Sequence, residues 1–174
     1  MTETVLATGG AGFIGSHVVA DLLASGKRVV ILDDFSNAEH DVLRRLSVIG
    51  PGEPELVEGD VCDDAVLDAL FTRYPIDAVV HLAGLKAVGE SVAEPLRYHT
   101  VNVGGALSLF RAMLRHKVKK LVFSSSATVY GVPEKNPIDE SAPLGVTNPY
   151  GRTKLIIEQI IDDLVAAEPD FAAI

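Results

Sequence analysis

The stretch TGGAGFIG at residues 8–15 limits what this chain can fold into more than any other. It follows a short apolar run, TVLAT at 4–8, and opens an amphipathic segment at 13–25. Glycines placed between a strand and a helix in this way mark a dinucleotide cradle. Gly9 allows the tight turn, Gly12 lets the backbone approach a pyrophosphate, and Gly15 lets the helix pack on the sheet. The helix start adds free N–H groups and the positive end of its dipole. The spacing is G-x-x-G-x-x-G rather than G-x-G-x-x-G.

Further apolar runs stand at 28–33 (RVVILD), 55–58 (ELVE), 77–83 (DAVVHLA) and 118–124 (VKKLVFS). Each is short, rich in Val, Ile or Leu, and bounded by polar or turn residues, as a strand buried on both faces should be. Helical patterns lie between them. Residues 13–25 carry Phe13, Ile14, Val18, Leu22 and Leu23, and Gly26 supplies a stop. Residues 63–73 begin with Asp63 and Asp64, which suit a helix start. Longer helices are expected over 95–116 and 149–167, the latter with Leu155, Ile156, Ile160, Ile161 and Leu164 on its apolar stripe. Strand–helix alternation predicts an α/β fold: a Rossmann-like doubly wound parallel sheet with helices on both faces and right-handed crossovers. Residues 1–174 read as one dinucleotide-binding domain. PDFAAI at 169–174 reads as a sixth strand cut short, so the chain is expected to be the N-terminal piece of a longer protein. The one long loop, 131–149, is expected to be functional or mobile.

The 174 residues suffice to bury roughly 70% of the unfolded surface. A net charge of −9 argues against a nucleic-acid partner, because phosphate contacts need a basic face. No apolar run reaches the length of a membrane span, and MTETVLATGG has no basic leader region. The single cysteine, Cys62, cannot form an internal disulfide, which agrees with a reducing cytoplasm.

Asp33 ends the second predicted strand, 18 residues after Gly15. A carboxylate there accepts hydrogen bonds from ribose hydroxyls and repels a 2′-phosphate, so NAD is favoured over NADP. Asp60 and Val61 end the third strand region and are expected to line the adenine pocket. Further on, Ser126 lies at the end of the fifth strand, where open α/β sheets bind ligands. Tyr150 and Lys154 stand four apart, so a helix puts both on one face. The three make a proton-transfer set. Lowering a tyrosine pKa from about 10 to about 7 needs roughly 4 kcal/mol in favour of the phenolate. One cation at about 4 Å, with an effective dielectric of about 20, is worth roughly that much. Lys154 and an oxidised nicotinamide would supply two.

TGGAGFIG, HLAG, NVGG, SSSATVYG and PYGRTK occur in the order seen in the extended short-chain dehydrogenase/reductase family, which the chain resembles over essentially all its length. Within it, HLAGLKAVGESV at 81–92 and FSSSATVYG at 123–131 resemble the UDP-hexose 4-epimerases, about the first half of such a protein. Related dehydratases carry an Asp-Glu pair where this chain has Ala127 and Thr128, so elimination of water is not expected. The resemblance implies that Phe13 and Ile14 cap the pyrophosphate through backbone amides. It implies that Asp33, Asp34, Phe35, Ser36, Asn37 and Ala38 surround the adenosine. Leu82, Ala83, Gly84 and Leu85 would run along the cofactor, with Lys86 reaching ribose or substrate. Asn102 and Ser124 are implied as further cofactor contacts. Val101 replaces a second asparagine, and no contact is expected from it. Ser126, Ala127 and Thr128 would face the sugar, with Tyr150 as base and Lys154 tuning it and binding the nicotinamide ribose.

The implied reaction is reversible inversion at C4 of UDP-galactose and UDP-glucose through a 4-keto sugar, with NAD as cofactor and a homodimer formed through the two long helices. Other UDP-sugars, an N-acetylhexosamine or a glucuronate, are the alternative substrates, and an NAD-binding module without turnover is the alternative class. A chain ending at Ile174 is expected to turn over poorly. His17, His40, His81, His99 and His116 show no metal-ligand spacing. Cys62 reads as a packing residue, and the acidic pairs at 139–140 and 162–163 as solvated surface.

Overall fold

The computed structural model describes residues 2–49, 52–133 and 135–174. Among the described residues six strands form: β1 (Thr4–Thr8), β2 (Arg28–Asp33), β3 (Glu55–Glu58), β4 (Ala78–His81), β5 (Lys120–Phe123) and β6 (Ala172–Ala173). They lie in the order β3-β2-β1-β4-β5-β6, and every neighbouring pair is parallel. The doubly wound sheet read from the sequence is therefore the observed one. The sixth strand is present as two residues, paired Lys120 to Ala172 and Leu121 to Ala173.

Alternate side chains of a strand point to opposite faces, and the two faces hold separate cores. Ala7, Val29 and Ile31 pack with Val19, Leu23 and Leu46 of the helices α1 (Phe13–Ala24) and α2 (Asp41–Ile49). Leu6, Val30 and Leu32 belong to the other core. That core takes in α3 (Asp64–Arg73), α6 (Gly105–Arg115) and α7 (Pro149–Ala167) through Leu67, Leu109 and Ile157. Each such fully buried aliphatic side chain stabilises the fold by about 1.5–3 kcal/mol. Two short helices, α4 (Val88–Ala93) and α5 (Pro95–Tyr98), follow β4.

Local chemistry sets the helix limits. Gly26 has φ +80°, its N–H donates to Leu23 O, and Lys27 N–H donates to Leu22 O, which closes α1 in a Schellman turn. Asp63 Oδ1 accepts the Ala65 and Val66 N–H groups and caps α3. Asn148 Oδ1 accepts the Gly151 N–H, and Pro149 occupies the first position of α7.

The structure departs from the sequence reading in its helices, and α4 is one that the pattern did not predict. The helix expected over 95–116 is α5, then a π-helical segment over His99–Gly104, then α6. The helix α2 was not expected from the pattern; Leu46 is its buried anchor. In the loop 131–149, of which Glu134 lies outside the described residues, Gly131 has φ +64° and meets Gly145 so closely that a Cβ would stand 1.7 Å from its carbonyl oxygen. Gly145 N–H donates to Val129 O, so this loop folds back on the 3-10 turn over Ala127–Tyr130.

The chain leaves β1 in one direction, towards β2, and leaves β4 in the other, towards β5. This reversal opens a crevice beyond the C-terminal ends of β1 and β4, the place where such sheets bind ligands.

Candidate active site

The glycines of the β1–α1 turn do different work. Gly9 has φ +69°, and a Cβ there would stand 2.7 Å from Ala83 N. A Cβ on Gly15 would stand 2.1 Å from Gly9 O. Both positions let backbones touch, and Gly9 also joins the turn to the residues after β4. Gly12 is open by comparison: only Gly9 O, at 3.3 Å, lies near its would-be Cβ. Gly12 is also the N-cap of α1 and provides no side-chain cap. The first-turn N–H groups of α1, beside the exposed Phe13 and Ile14, are left facing the crevice.

Asp33 is buried at the end of β2. Its Oδ2 accepts the Ala11 N–H at 2.9 Å and its Oδ1 accepts the Phe35 N–H at 3.0 Å. Each oxygen keeps a lone pair for a ligand, so Asp33 both braces the glycine turn and can bind ribose. Beyond it, Phe35 has φ +54° and stacks on His40 at 3.9 Å. Asp34 Oδ1 accepts the Ser36 N–H and hydroxyl and shapes the loop that continues through Asn37 and Ala38. Asp60 is exposed and accepts the Cys62 N–H. Val61 is buried in the core, where a Cβ on Gly105 would stand 2.8 Å from its Cγ1. Burial chiefly, with Asp60 second, pushes the Cys62 thiol up to about 12, which keeps it protonated and inert.

At the end of β4, Leu82 N–H donates to Thr8 O, and Thr8 Oγ1 lies 2.7 Å from His81 Nδ1. Burial, with the nearby Lys154 charge second, pushes His81 down to about 3, so this imidazole is neutral. It is a satisfied core histidine. Gly84 has φ +150°. Asn102 is buried and satisfied inside the protein: Oδ1 accepts the Leu85 N–H at 2.8 Å, and Nδ2 donates to Leu85 O and to Thr153 Oγ1, each at 3.0 Å. It acts on the crevice through the Leu85 backbone. Lys86 is exposed and has no ion-pair partner among the described residues.

Ser126 lies three residues beyond the end of β5 rather than at the strand end itself, and caps a 3-10 turn over Ala127–Tyr130. Its Oγ accepts the Thr128 N–H at 3.2 Å and the Thr128 hydroxyl at 2.9 Å. The Ser126 proton is therefore free to be donated outward. Thr128 in turn packs against Gly151, where a Cβ would stand 3.0 Å from Thr128 Oγ1. This contact seats the first turn of α7, which carries the half-buried Tyr150, on the serine-bearing turn. Lys154, one turn on, is 6% exposed. Its Nζ donates to Ser124 O at 2.8 Å and lies 4.8 Å from the Phe123 ring centre. Burial lowers its pKa to about 8. Ser126, Tyr150 and Lys154 thus come from two elements that the fold packs together.

Several contributors were not expected from the sequence. Ser125 donates to Glu158 of α7, so one of the three strand-end hydroxyls is satisfied inside the protein. Thr153 donates to Tyr150 O at 2.7 Å while receiving Asn102. Tyr98, wholly buried, touches the backbone beside Lys86. An apolar-faced helix position reads as core, and only the fold reveals its polar partner. Among the described residues, no group of three or more His, Cys, Asp or Glu could hold a metal ion, and no helix is long and apolar enough to cross a membrane.

The sequence of residues 5–174 matches the NAD dependent epimerase/dehydratase family. The chain is 51% identical over 168 residues to UDP-glucose 4-epimerase of Bacillus subtilis, covering 97% of this chain and 50% of that protein. It is 48% identical over 181 residues to the human UDP-glucose 4-epimerase, covering 100% of this chain and 52% of that one. The chain spans about half the length of the curated relatives it matches. Among solved structures it is similar to UDP-glucose 4-epimerase of Bifidobacterium longum in complex with NAD+ and UDP. The TM-score there is 0.96 at 46% identity, over 98% of this chain and 51% of that chain.

Proposed function

The chain belongs to the NAD-dependent epimerase/dehydratase family, and from that premise we propose that the protein carrying it binds NAD and interconverts UDP-galactose and UDP-glucose at C4. The observation that carries this reading is that the turn capped by Ser126 packs on the start of α7, the helix that bears Tyr150 and Lys154, in a fold that also holds an uncapped glycine cradle. The residues present suit NAD. Gly12 leaves room for a pyrophosphate, the α1 N-terminus supplies amides, and Asp33 keeps acceptor capacity for ribose hydroxyls with no basic side chain among its hydrogen-bond partners.

When bound, NAD supplies the acceptor and donor of the C4 hydride. The chain's own residues handle the proton and the geometry. Tyr150 takes the proton of the sugar 4′-hydroxyl and later returns it. Ser126 donates its free proton to the same sugar oxygen and holds it in line. Lys154 is mostly protonated at pH 7, since its pKa lies near 8, so it favours a tyrosinate beside it. Ser124 O and the Phe123 ring hold that ammonium in place. Ala127 and Thr128 provide no acid for eliminating water, which favours epimerisation over dehydration within the family.

The complete protein is read as a cytoplasmic homodimer. The expected pairing helices leave Leu96 and Val165 on the surface, 81% and 40% exposed, and sedimentation of the complete protein checks the pairing. The activity is tested by UDP-glucose formation from UDP-galactose, run beside Tyr150→Phe. Loss of the base should slow turnover about 10²–10⁴-fold with NAD still bound. Wild-type-like turnover by Tyr150→Phe sinks the proposed role of Tyr150, and activity only on an N-acetylated or glucuronate sugar replaces the substrate.

A further inference from the structure

Lys86 is the exposed cation of the loop after β4, and the backbone on both sides of it is held by buried side chains. On one side, Leu85 gives its N–H to Asn102 Oδ1 and receives Asn102 Nδ2 at its carbonyl. On the other, the Tyr98 hydroxyl accepts the Ala87 N–H at 3.0 Å and lies 2.8 Å from Ala87 O. The same hydroxyl is 2.6 Å from Glu90 Oε2, a charge-assisted contact that fixes its position. Glu90 is itself held by Arg97 at 2.9 Å. Tyr98 and Asn102 are 0% and 3% exposed and stand four apart where α5 runs into the π-helical segment, a feature that often marks functional sites. A loop that merely connects two elements needs no such bracing, because water can satisfy its backbone.

The geometry points to Tyr98 and Asn102 as positioning residues that clamp the backbone either side of Lys86 and present its ammonium to a ribose-diphosphate ligand in the crevice. This inference rests on the proposed nucleotide-binding reading. Two such ligands would share that chemistry, the dinucleotide and the nucleotide sugar. Burial and the Glu90 contact push the Tyr98 phenol up to about 12, so it stays a protonated donor throughout the working range. Asn102 extends the clamp to α7 through Thr153, whose hydroxyl donates to the Tyr150 carbonyl. The loop carrying Lys86 and the helix carrying the proposed base are therefore joined by one chain of hydrogen bonds.

The test is a double-mutant cycle on the complete protein, with Tyr98→Phe and Lys86→Met made singly and together. The readouts are the NAD dissociation rate, the affinity of the NAD-loaded protein for UDP by calorimetry, and Tm. None requires turnover, so the clamp is judged separately from the epimerase reading. Tyr98→Phe is expected to weaken one ligand about tenfold when Lys86 is present and less than twofold when Lys86 is Met. The readout that moves identifies the ligand. Should Tyr98→Phe fail to fold, Glu90→Gln loosens the same hydroxyl from the surface and is expected to shift the same ligand by a few-fold. An equal loss in both backgrounds, or no loss in either readout, overturns the clamp and leaves Tyr98 a packing residue.

Discussion

Adding one methyl group at Gly12 and at Gly15 should give opposite phenotypes, although both glycines belong to one motif. At Gly15 the new Cβ would stand 2.1 Å from Gly9 O, 2.8 Å from Gly10 Cα and 2.9 Å from Gly9 C. All three are backbone atoms, and normal contact needs more than 3 Å, so α1 must move away from the turn by about 1 Å. Overpacking of this kind costs about 3 kcal/mol or more where no side chain can yield. In a domain of this size 1 kcal/mol shifts Tm by about 2–4 °C, so Gly15→Ala should lower it by about 6–12 °C. At Gly12 the nearest atom is 3.3 Å away and φ is −69°, which alanine adopts freely. The fold should lose only about 0.5–1 kcal/mol, through a weaker N-cap. The methyl group would nonetheless stand where a pyrophosphate must approach. Gly12→Ala should therefore keep Tm within about 4 °C of wild type and purify without NAD. Calorimetry and NAD content per chain separate the two outcomes. A Gly12→Ala protein that retains full NAD, or a Gly15→Ala protein as stable as wild type, refutes this account of the cradle.

Two pH-linked results should accompany it. Burial lowers Lys154 from 10.5 to about 8, so between those values the unfolded chain holds a proton that the folded chain has released. Folding stability therefore rises with pH across that window, by up to about 3 kcal/mol from this group. Urea unfolding at pH 7 and pH 10 should show wild type gaining by that amount on Lys154→Met, and a constant gap refutes it. His81 falls to about 3 by burial, so its ring signals should not titrate between pH 5 and pH 8; a His81 midpoint near 6.5 contradicts the buried, neutral assignment.

The sheet was legible because its strands are buried on both faces, so that Leu6, Ile31 and Leu32 stand in uninterrupted apolar runs. The glycine turn was legible because no other residue tolerates backbone contacts as close as those at Gly9 and Gly15. Tyr150 and Lys154 could be read as a pair because four residues is one helical turn. The remainder was hidden by distance along the chain. Tyr98 looks like a core aromatic until the fold sets it against Ala87. The Ser125 hydroxyl gives no sign in the sequence of its partner, Glu158, which lies 33 residues away. The π-helical segment left no trace in the pattern, since a slight unwinding of a helix keeps the same residues inside. The helix α2 is short and largely exposed, and its few buried contacts give a weak signal.

The strand order also has a kinetic side. The crevice exists only where β1 meets β4, and the first links between them, Thr4 to Asp77 and Thr8 to His81, each span 73 residues. Contacts so distant in sequence slow folding, because a long loop must close before they form. On a ribosome the glycine turn emerges early, but its neighbour Ala83 follows only after three further strands. The nascent chain thus passes through a stage in which β1 has one partner and one open edge. A cofactor that fits between the turn and the β4 tail can engage only once that gap has closed, and by binding there it would hold the late-forming pair together.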